Sequence, residues 1–189
     1  MSRIHIVGAS GSGTSTLGAV LAGRLACSHV DADTLFWMPT DPPFVERRPR
    51  EARQSLLVQA LPATGRWIFS GSATGWCAPV QPFFDLVVFL TLDCATRMDR
   101  LRRREVERYG ARIGGTGDMA EASAAFLKWA LAYETAGPEQ RSRAGHEQWL
   151  ASLATPVLRL DSAAPVQNLV DAVLSRRKAI GLTHAAPGS

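Results

Sequence analysis

The sequence predicts an α/β domain built on a mostly parallel sheet, and three observations carry this. Short β-rich runs alternate with stretches of helical periodicity, a Gly/Ser loop follows the first run, and 189 residues at 46% hydrophobic content suffice for one sizeable core. The same balance excludes a disordered tail, a coiled coil and a collagen-like repeat. Three cysteines, Cys27, Cys77 and Cys94, without metal-type spacing argue against a disulfide framework and a zinc site, and fit a reducing cytoplasm. No run reaches the roughly 18 apolar residues of a membrane span, and a strand at the very start leaves no room for a signal peptide.

Residues 3–7 form a β-rich run ending at Gly8, after which Leu17, Val20, Leu21 and Leu25 recur at helical spacing. Residues 29–31 read as a short second strand, followed by a stretch broken by Pro39, Pro42 and Pro43. Pro49 suits the first position of a helix carrying Leu56, Leu57, Ala60 and Leu61, which Pro62 and Gly65 end. Residues 67–70 and 86–92 are apolar runs of strands buried on both faces. An arginine-rich helix at 95–109 turns Met98, Leu101 and Val106 inward, and 110–117 is a glycine-punctuated loop. A helix at 119–135 places Ala122, Phe126, Trp129 and Tyr133 on one face, and another is expected over 139–153. A last strand at 157–160 and a last helix at 165–178, with Leu169, Val170, Val173 and Leu174, complete the alternation.

The loop Gly8-Ala9-Ser10-Gly11-Ser12-Gly13-Thr14-Ser15 lies between the first strand and the first helix. It matches the phosphate-loop pattern G-x-x-x-x-G-K-[ST] everywhere except at the lysine, where Thr14 stands. Small residues let successive backbone N–H groups curl around a polyphosphate, and the helix N-terminus adds free donors and a positive dipole. Gly8, Ser10, Gly11, Ser12, Gly13, Thr14, Ser15 and Thr16 are therefore the candidate nucleotide-binding residues, with the Ser15 hydroxyl suited to Mg²⁺. A threonine brings no charge where the lysine would. By analogy with a lost transition-state donor, the penalty is about 3 kcal/mol unless another cation substitutes.

The obvious substitutes are arginines. Of 21 basic residues against 17 acidic ones, only Lys128 and Lys178 are lysines, and neither is near the loop in sequence. Arginine's planar fork suits phosphate and carboxylate, although an Ala- and Arg-rich genome would leave the same bias. Arg97, Arg100, Arg104 and Arg108 share one side of the predicted helix, with Arg102, Arg103 and Arg112 elsewhere. Glu105 and Glu107 interrupt the run, which argues against nucleic acid as partner; a solvated helix face accounts equally for many of these arginines. At the end of the second strand, alternation points Asp31 and Asp33 to one side, towards the crevice at the C-terminal edge of a parallel sheet. A helix cap or turn is the competing reading of that pair.

With these residues in place, the chain resembles the P-loop kinases of nucleoside monophosphates and small metabolites. That is the adenylate kinase and shikimate kinase group, together with bacterial kinases of the topology modulation protein type. The resemblance covers about residues 4–174 and is carried by the Gly8 loop, residues 33–43 and residues 102–109. It implies a three-layer P-loop NTPase fold, a five-stranded parallel sheet with helices on both faces. An acceptor-binding insertion would span about 34–64 and a small mobile lid about 104–118, in a single domain at 1–180 with a flexible tail at 181–189. It also implies ATP or another nucleoside triphosphate, Mg²⁺, and a small phosphoryl acceptor, a nucleoside monophosphate or hydroxyl metabolite, acted on by a monomer or homodimer.

By the same resemblance Asp33 serves as acceptor ligand or general base and Asp31, with Ser15, serves the metal. Arg104, then Arg108 and Arg112, are the lid arginines that neutralise charge on the transferred group. Trp37, Arg48, Gly71 and Arg141 belong to the acceptor site, although packing explains the aromatics of the insertion equally well and a tight turn explains Gly71. Asp93 reads as a helix N-cap, His5 as a packed residue and His146 as a surface or capping histidine. The alternative function is a nucleotide-binding regulatory protein that lost turnover along with the lysine.

Overall fold

The structure is a computed structural model and describes residues 2–182; of the tail expected at 181–189, Gly181 and Leu182 instead close the last helix, the Leu182 N–H donating to the Arg177 carbonyl at 3.0 Å and its side chain packing on the core, and 183–189 lie outside the described residues. Five parallel strands, β1 (Ser2–Gly8), β2 (Ser28–Asp31), β3 (Arg66–Ser70), β4 (Leu86–Thr91) and β5 (Val157–Asp161), form one sheet in the order β2-β3-β1-β4-β5. The central strand β1 pairs with β3 on one side (Ile6 opposite Ser70) and with β4 on the other (Ile6 opposite Val88). From β1 the chain crosses to β2 at one edge, and from β3 it crosses to the opposite half. Such a reversal opens a crevice at the C-terminal ends of the strands.

Alternation along the strands builds two cores. Ile4, Ile6, Ile68, Leu86, Val88 and Leu90 face one way, towards Leu17 and Leu21 of α1 (Thr14–Leu25) and Leu169, Val170 and Val173 of α7 (Val166–Ala179). Val7, Trp67, Phe69, Val87 and Phe89 face the other, towards Leu57 of α3 (Arg50–Ala60) and Leu150 of α6 (Arg143–Ala151). Burial on both faces is why these strands read as unbroken apolar runs. No helix among the described residues is long and apolar enough to cross a membrane, and all three cysteines are free.

Several helices differ from their sequence expectations. In α4 (Cys94–Tyr109) Val106 is 58% exposed, whereas Arg97, Met98, Leu101, Glu105 and Tyr109 are buried. The helical stripe that runs from Met98 through Leu101 passes through Glu105, and apolarity does not move Val106 onto it. Asp93 caps α4 as expected, accepting a hydrogen bond from the Thr96 N–H at 2.9 Å. The helix expected at 119–135 is α5 (Ala120–Leu131) followed by one 3₁₀ turn; Phe126 and Trp129 pack inward and Tyr133 is buried as expected, whereas Ala122 is exposed and Ser123 and Ala130 are buried. The helix expected over 139–153 begins only at Arg143, because the Ser142 hydroxyl caps it by accepting from the Gly145 N–H at 2.9 Å.

The proline-rich stretch after β2 starts with a short helix, α2 (Ala32–Phe36), and then doubles back. Trp37 bridges to Arg47, the Arg48 N–H donates to the Phe36 carbonyl at 2.8 Å, and the Met38 N–H donates to the Glu46 carbonyl at 2.9 Å. Its aromatics pack on one another: the Phe36 and Trp37 rings lie 5.0 Å apart, and the Arg108 guanidinium sits 4.0 Å from the Phe44 ring. The segment expected as a lid touches this insertion, through Tyr109 O–H donating to the Pro43 carbonyl at 2.8 Å and an Arg112–Asp41 ion pair at 3.5 Å.

Candidate functional site

Gly8 ends β1 and the chain turns through Ala9–Gly13 into α1. The Ser12 N–H closes the turn on the Ala9 carbonyl at 3.1 Å. Gly11 and Gly13 both have left-handed backbone, with φ of 83° and 87°. A Cβ on Gly11 would lie 2.9 Å from the Arg97 carbonyl and 3.2 Å from Leu101 Cγ, so only glycine lets the loop seat on α4. No side chain caps the N-terminus of α1, and its first turn carries no acidic residue. Free N–H donors and an uncompensated dipole are thus presented by the loop. The Ser12 hydroxyl is buried on the inner side of the loop, against Gly8, without a hydrogen-bond partner among the described residues.

Above the loop opens a cleft of about 400 Å³, a size suited to a small ligand. Residues 8–17 form its floor, with Asp31 and Asp33 on one wall and Gly71 and Ser72 beside them. Arg100, Arg104 and Arg141 also line it, while Ser162, Ala164 and Val166 close the side nearest α7. All eight predicted nucleotide-binding residues therefore meet at one site, together with Asp31, Asp33, Arg104, Gly71 and Arg141.

The two aspartates arrive there differently. Asp31 is the N-cap of α2, accepting from the Asp33 N–H at 2.9 Å and, through its other oxygen, from the Ser70 hydroxyl at 3.3 Å. The cap and the site are compatible, because each oxygen retains lone pairs for further partners. Asp33 lies in the first turn of the helix, two residues after the cap, and lines the cleft. Partial desolvation by the cleft pushes its carboxyl above the usual range while the residue stays open to solvent, Asp31 adds to this, and Arg141, Arg104 and Arg108 oppose it.

Arg141 spans two segments. It donates to the Ser10 hydroxyl at 3.5 Å and to the Ser72 carbonyl at 3.2 Å, and its guanidinium stands 5.1 Å from the Trp129 ring. The Ser72 loop is fixed from behind by His146, whose Nε2 is 2.8 Å from Ser72 Oγ and whose Nδ1 is 2.7 Å from the Tyr133 hydroxyl. His146 is therefore not the surface or capping residue expected: it is 1% exposed, and burial pushes its imidazole down to about 4. His5 is packed as expected, stacked on Phe69 and Phe84 and held near 4 by burial. Gly71, with φ of 101°, brings its backbone so close to α2 that a Cβ would lie 2.8 Å from Ala32 Cβ.

Other predicted residues lie outside the cleft lining. Trp37 packs between Phe36 and Phe44, and Arg48 donates to the carbonyls of Leu35 (3.1 Å) and Trp37 (3.3 Å), which shapes the insertion. Arg108 pairs with Glu105 at 3.6 Å and stacks on Phe44; Arg112 holds Asp118 at 2.6 Å. Conversely, the sequence singled out neither Arg97 nor Arg100 for the site. Arg97 is completely buried beneath the loop, donating to the Ser10 carbonyl at 3.3 Å and to Glu134 at 3.2 Å. The available signal was spacing: Arg97, Arg100 and Arg104 share the helix side that faces the loop.

For Mg²⁺, Ser15 and Asp31 both line the cleft, although no group of three or more His, Cys, Asp or Glu among the described residues forms a metal cage. That set fits an ion held by one or two protein groups with the remainder supplied by phosphate and water.

Comparison with known proteins agrees with this architecture. Residues 4–123, more than half of the chain, match the AAA domain family. The uncharacterized protein YqaC of Bacillus subtilis (strain 168) is 45% identical over 172 residues, covering 91% of this chain and 95% of that one. Among solved structures, the shikimate kinase of Acinetobacter baumannii in complex with shikimate aligns with a TM-score of 0.58 at 15% identity, covering 97% of this chain and 96% of that one. Shikimate kinase from Bacteroides thetaiotaomicron aligns at 0.57 and 16% identity, over 95% and 98%. A gluconokinase from Sinorhizobium meliloti 1021 aligns at 0.53 and 16%, over 96% and 95%. The chain belongs to the AAA domain family of P-loop proteins and has the five-stranded fold of the P-loop small-metabolite kinases.

Proposed function

We propose that the protein is an ATP-dependent kinase that transfers the γ-phosphoryl group to a small acceptor, a nucleoside monophosphate or hydroxyl metabolite. The observation that carries this is the convergence, in one cleft, of an uncapped phosphate loop, the Asp31/Asp33 pair and three arginines. In-line phosphoryl transfer asks the protein mainly for positioning and charge stabilisation.

The loop N–H groups and the first turn of α1 hold the triphosphate, and Ser15 with Asp31 would hold Mg²⁺, which screens phosphate charge when bound. Asp33 receives the acceptor hydroxyl, its raised carboxyl bringing it closer to a working base. Arg104 lies within electrostatic reach of Asp33 and supplies charge for the oxygens of the group in transfer. Arg141, tied to the loop through Ser10 and to the Ser72 carbonyl, orients an anionic acceptor.

The test is transfer from labelled Mg-ATP across a panel of nucleoside monophosphates and hydroxyl acids, with Asp33→Asn alongside. The expected result is label on one acceptor class, with Asp33→Asn retaining nucleotide binding and losing transfer. Nucleotide-induced thermal stabilisation without transfer to any acceptor supports the regulatory alternative, for which uncharged Thr14 speaks. No stabilisation by Mg-ATP refutes both.

A further inference from the structure

We propose that Arg100 takes the place of the missing loop lysine and binds the terminal phosphates of the nucleoside triphosphate. This rests on the nucleotide-binding reading above and adds the residue that makes it work without a lysine.

Four arginines lie around the loop, and their other contacts separate them. Arg97 is fully buried and engaged by the Ser10 carbonyl, Glu134 and the Tyr133 ring at 5.0 Å. Arg141 is held by Ser10 and Ser72. Arg104 faces Asp33, one helical turn farther from the start of α4. Arg100, like Arg104 and Arg141, forms no ion pair among the described residues, neighbouring Asp99 being paired with Arg103; it differs from Arg141 in lacking two protein partners and from Arg104 in standing beside Gly11 and Gly13 rather than facing Asp33. Its one hydrogen bond is a long one, Nη1 to the Gly11 carbonyl at 3.5 Å. The guanidinium is solvent-exposed, lines the cleft, and lies 3.9 Å from where a Cβ on Gly13 would sit, the residue preceding Thr14.

Arg100 is also placed without reference to any lid movement. A Cβ on Gly11 would lie 2.9 Å from the Arg97 carbonyl and 3.2 Å from Leu101 Cγ, so α4 is seated closely on the loop and the backbone that carries Arg100 is placed beside it. A side chain that starts beside the loop needs only a rotamer change, and no helix movement, to meet phosphate oxygens. Its planar fork can reach two phosphate oxygens at once, whereas a lysine offers one point charge.

Calorimetric titration of the wild type, Arg100→Ala, Thr14→Lys and the double variant tests this, using Mg-ATP and, separately, Mg-tripolyphosphate, which has no base. Arg100→Ala is expected to weaken both ligands by about tenfold or more, the scale of a lost charge-assisted hydrogen bond. Thr14→Lys in the Arg100→Ala background is expected to recover most of that loss, and the melting temperature of each ligand-free variant to stay near the wild type. Unchanged affinity in Arg100→Ala overturns the proposal. So does a loss confined to ATP, which puts Arg100 on the base, and so does a loss that Thr14→Lys does not recover. Absence of any ATP binding in both the wild type and Thr14→Lys removes the nucleotide reading itself, a failure distinct from the other three.

Discussion

Two imidazoles held neutral in the interior make this fold sensitive to acid, and His146 is the one that reaches the site. Its ring is 1% exposed, bridges Ser72 to Tyr133, and titrates near 4 because burial disfavours the charged form, with the nearby Arg141 charge adding to this. His5 is depressed to about 4 as well, mainly by burial. In the unfolded chain each returns to its ordinary value of 6.5. Between those two values the unfolded state binds the proton and the folded state does not. Stability present above pH 6.5 is therefore lost progressively as pH falls towards 4. At about 1.4 kcal/mol per pH unit, the roughly 1.5 units between 6.5 and pH 5 correspond to about 2 kcal/mol for each histidine. Together they remove about 4 kcal/mol, a large share of the 5–15 kcal/mol typical of a domain. Urea unfolding at pH 7, 6 and 5 measures this. His146→Gln, whose amide can still bond both hydroxyls, is expected to lose less stability than the wild type between pH 7 and 5, by about 2 kcal/mol. An identical drop in both proteins would show that His146 is not held neutral and would refute the reasoning.

Gly71→Ala combines a left-handed φ of 101° with a Cβ placed 2.8 Å from Ala32 Cβ, and is expected to cost about 2 kcal/mol on thermal or chemical unfolding. It should also weaken acceptor binding, because Gly71 and Ala32 adjoin Ser72 and Asp33 in the cleft wall; a melting curve equal to the wild type would contradict the close approach. Cys77 is buried, and burial pushes its thiol up to about 12, so in the native protein it should resist a thiol reagent at pH 8 that reaches Cys27 and Cys94. Titration of native and urea-unfolded protein counts the difference, expected to be one thiol.

The sequence is most legible where local chemistry and tertiary role coincide. Ile4, Ile6 and Val7, or Val87, Val88 and Phe89, are apolar because both faces of a parallel strand are covered, so the run itself marks the strand. The Asp93 cap and the Gly8 loop are equally local: a hydrogen bond three residues away and a turn of small residues. Misreadings arise where a polar group is buried by partners distant in sequence. His146 enters the interior because Tyr133 and Ser72 meet both ring nitrogens, whereas Glu105 takes the inner stripe of α4 in place of Val106 because helix geometry puts it there. No periodicity rule reports partners that lie 13 and 74 residues away.

The arginines show the same division. Sequence alone determined that no lysine stands in or near the loop, because Thr14 occupies that position and both lysines are elsewhere, which leaves arginine, Mg²⁺ and backbone N–H groups to meet phosphate charge if a nucleotide is turned over. It also determined the strand–loop–helix unit and the aspartate pair, since spacing within about ten residues fixes those. Which arginines stand at the loop was decided only by the tertiary structure. The seating of α4 on Gly11 buries Arg97, presents Arg100 and Arg104 to the cleft, and leaves Arg108 on Phe44. Side chains four residues apart on one helix differ in this way because the surface they meet belongs to other parts of the chain.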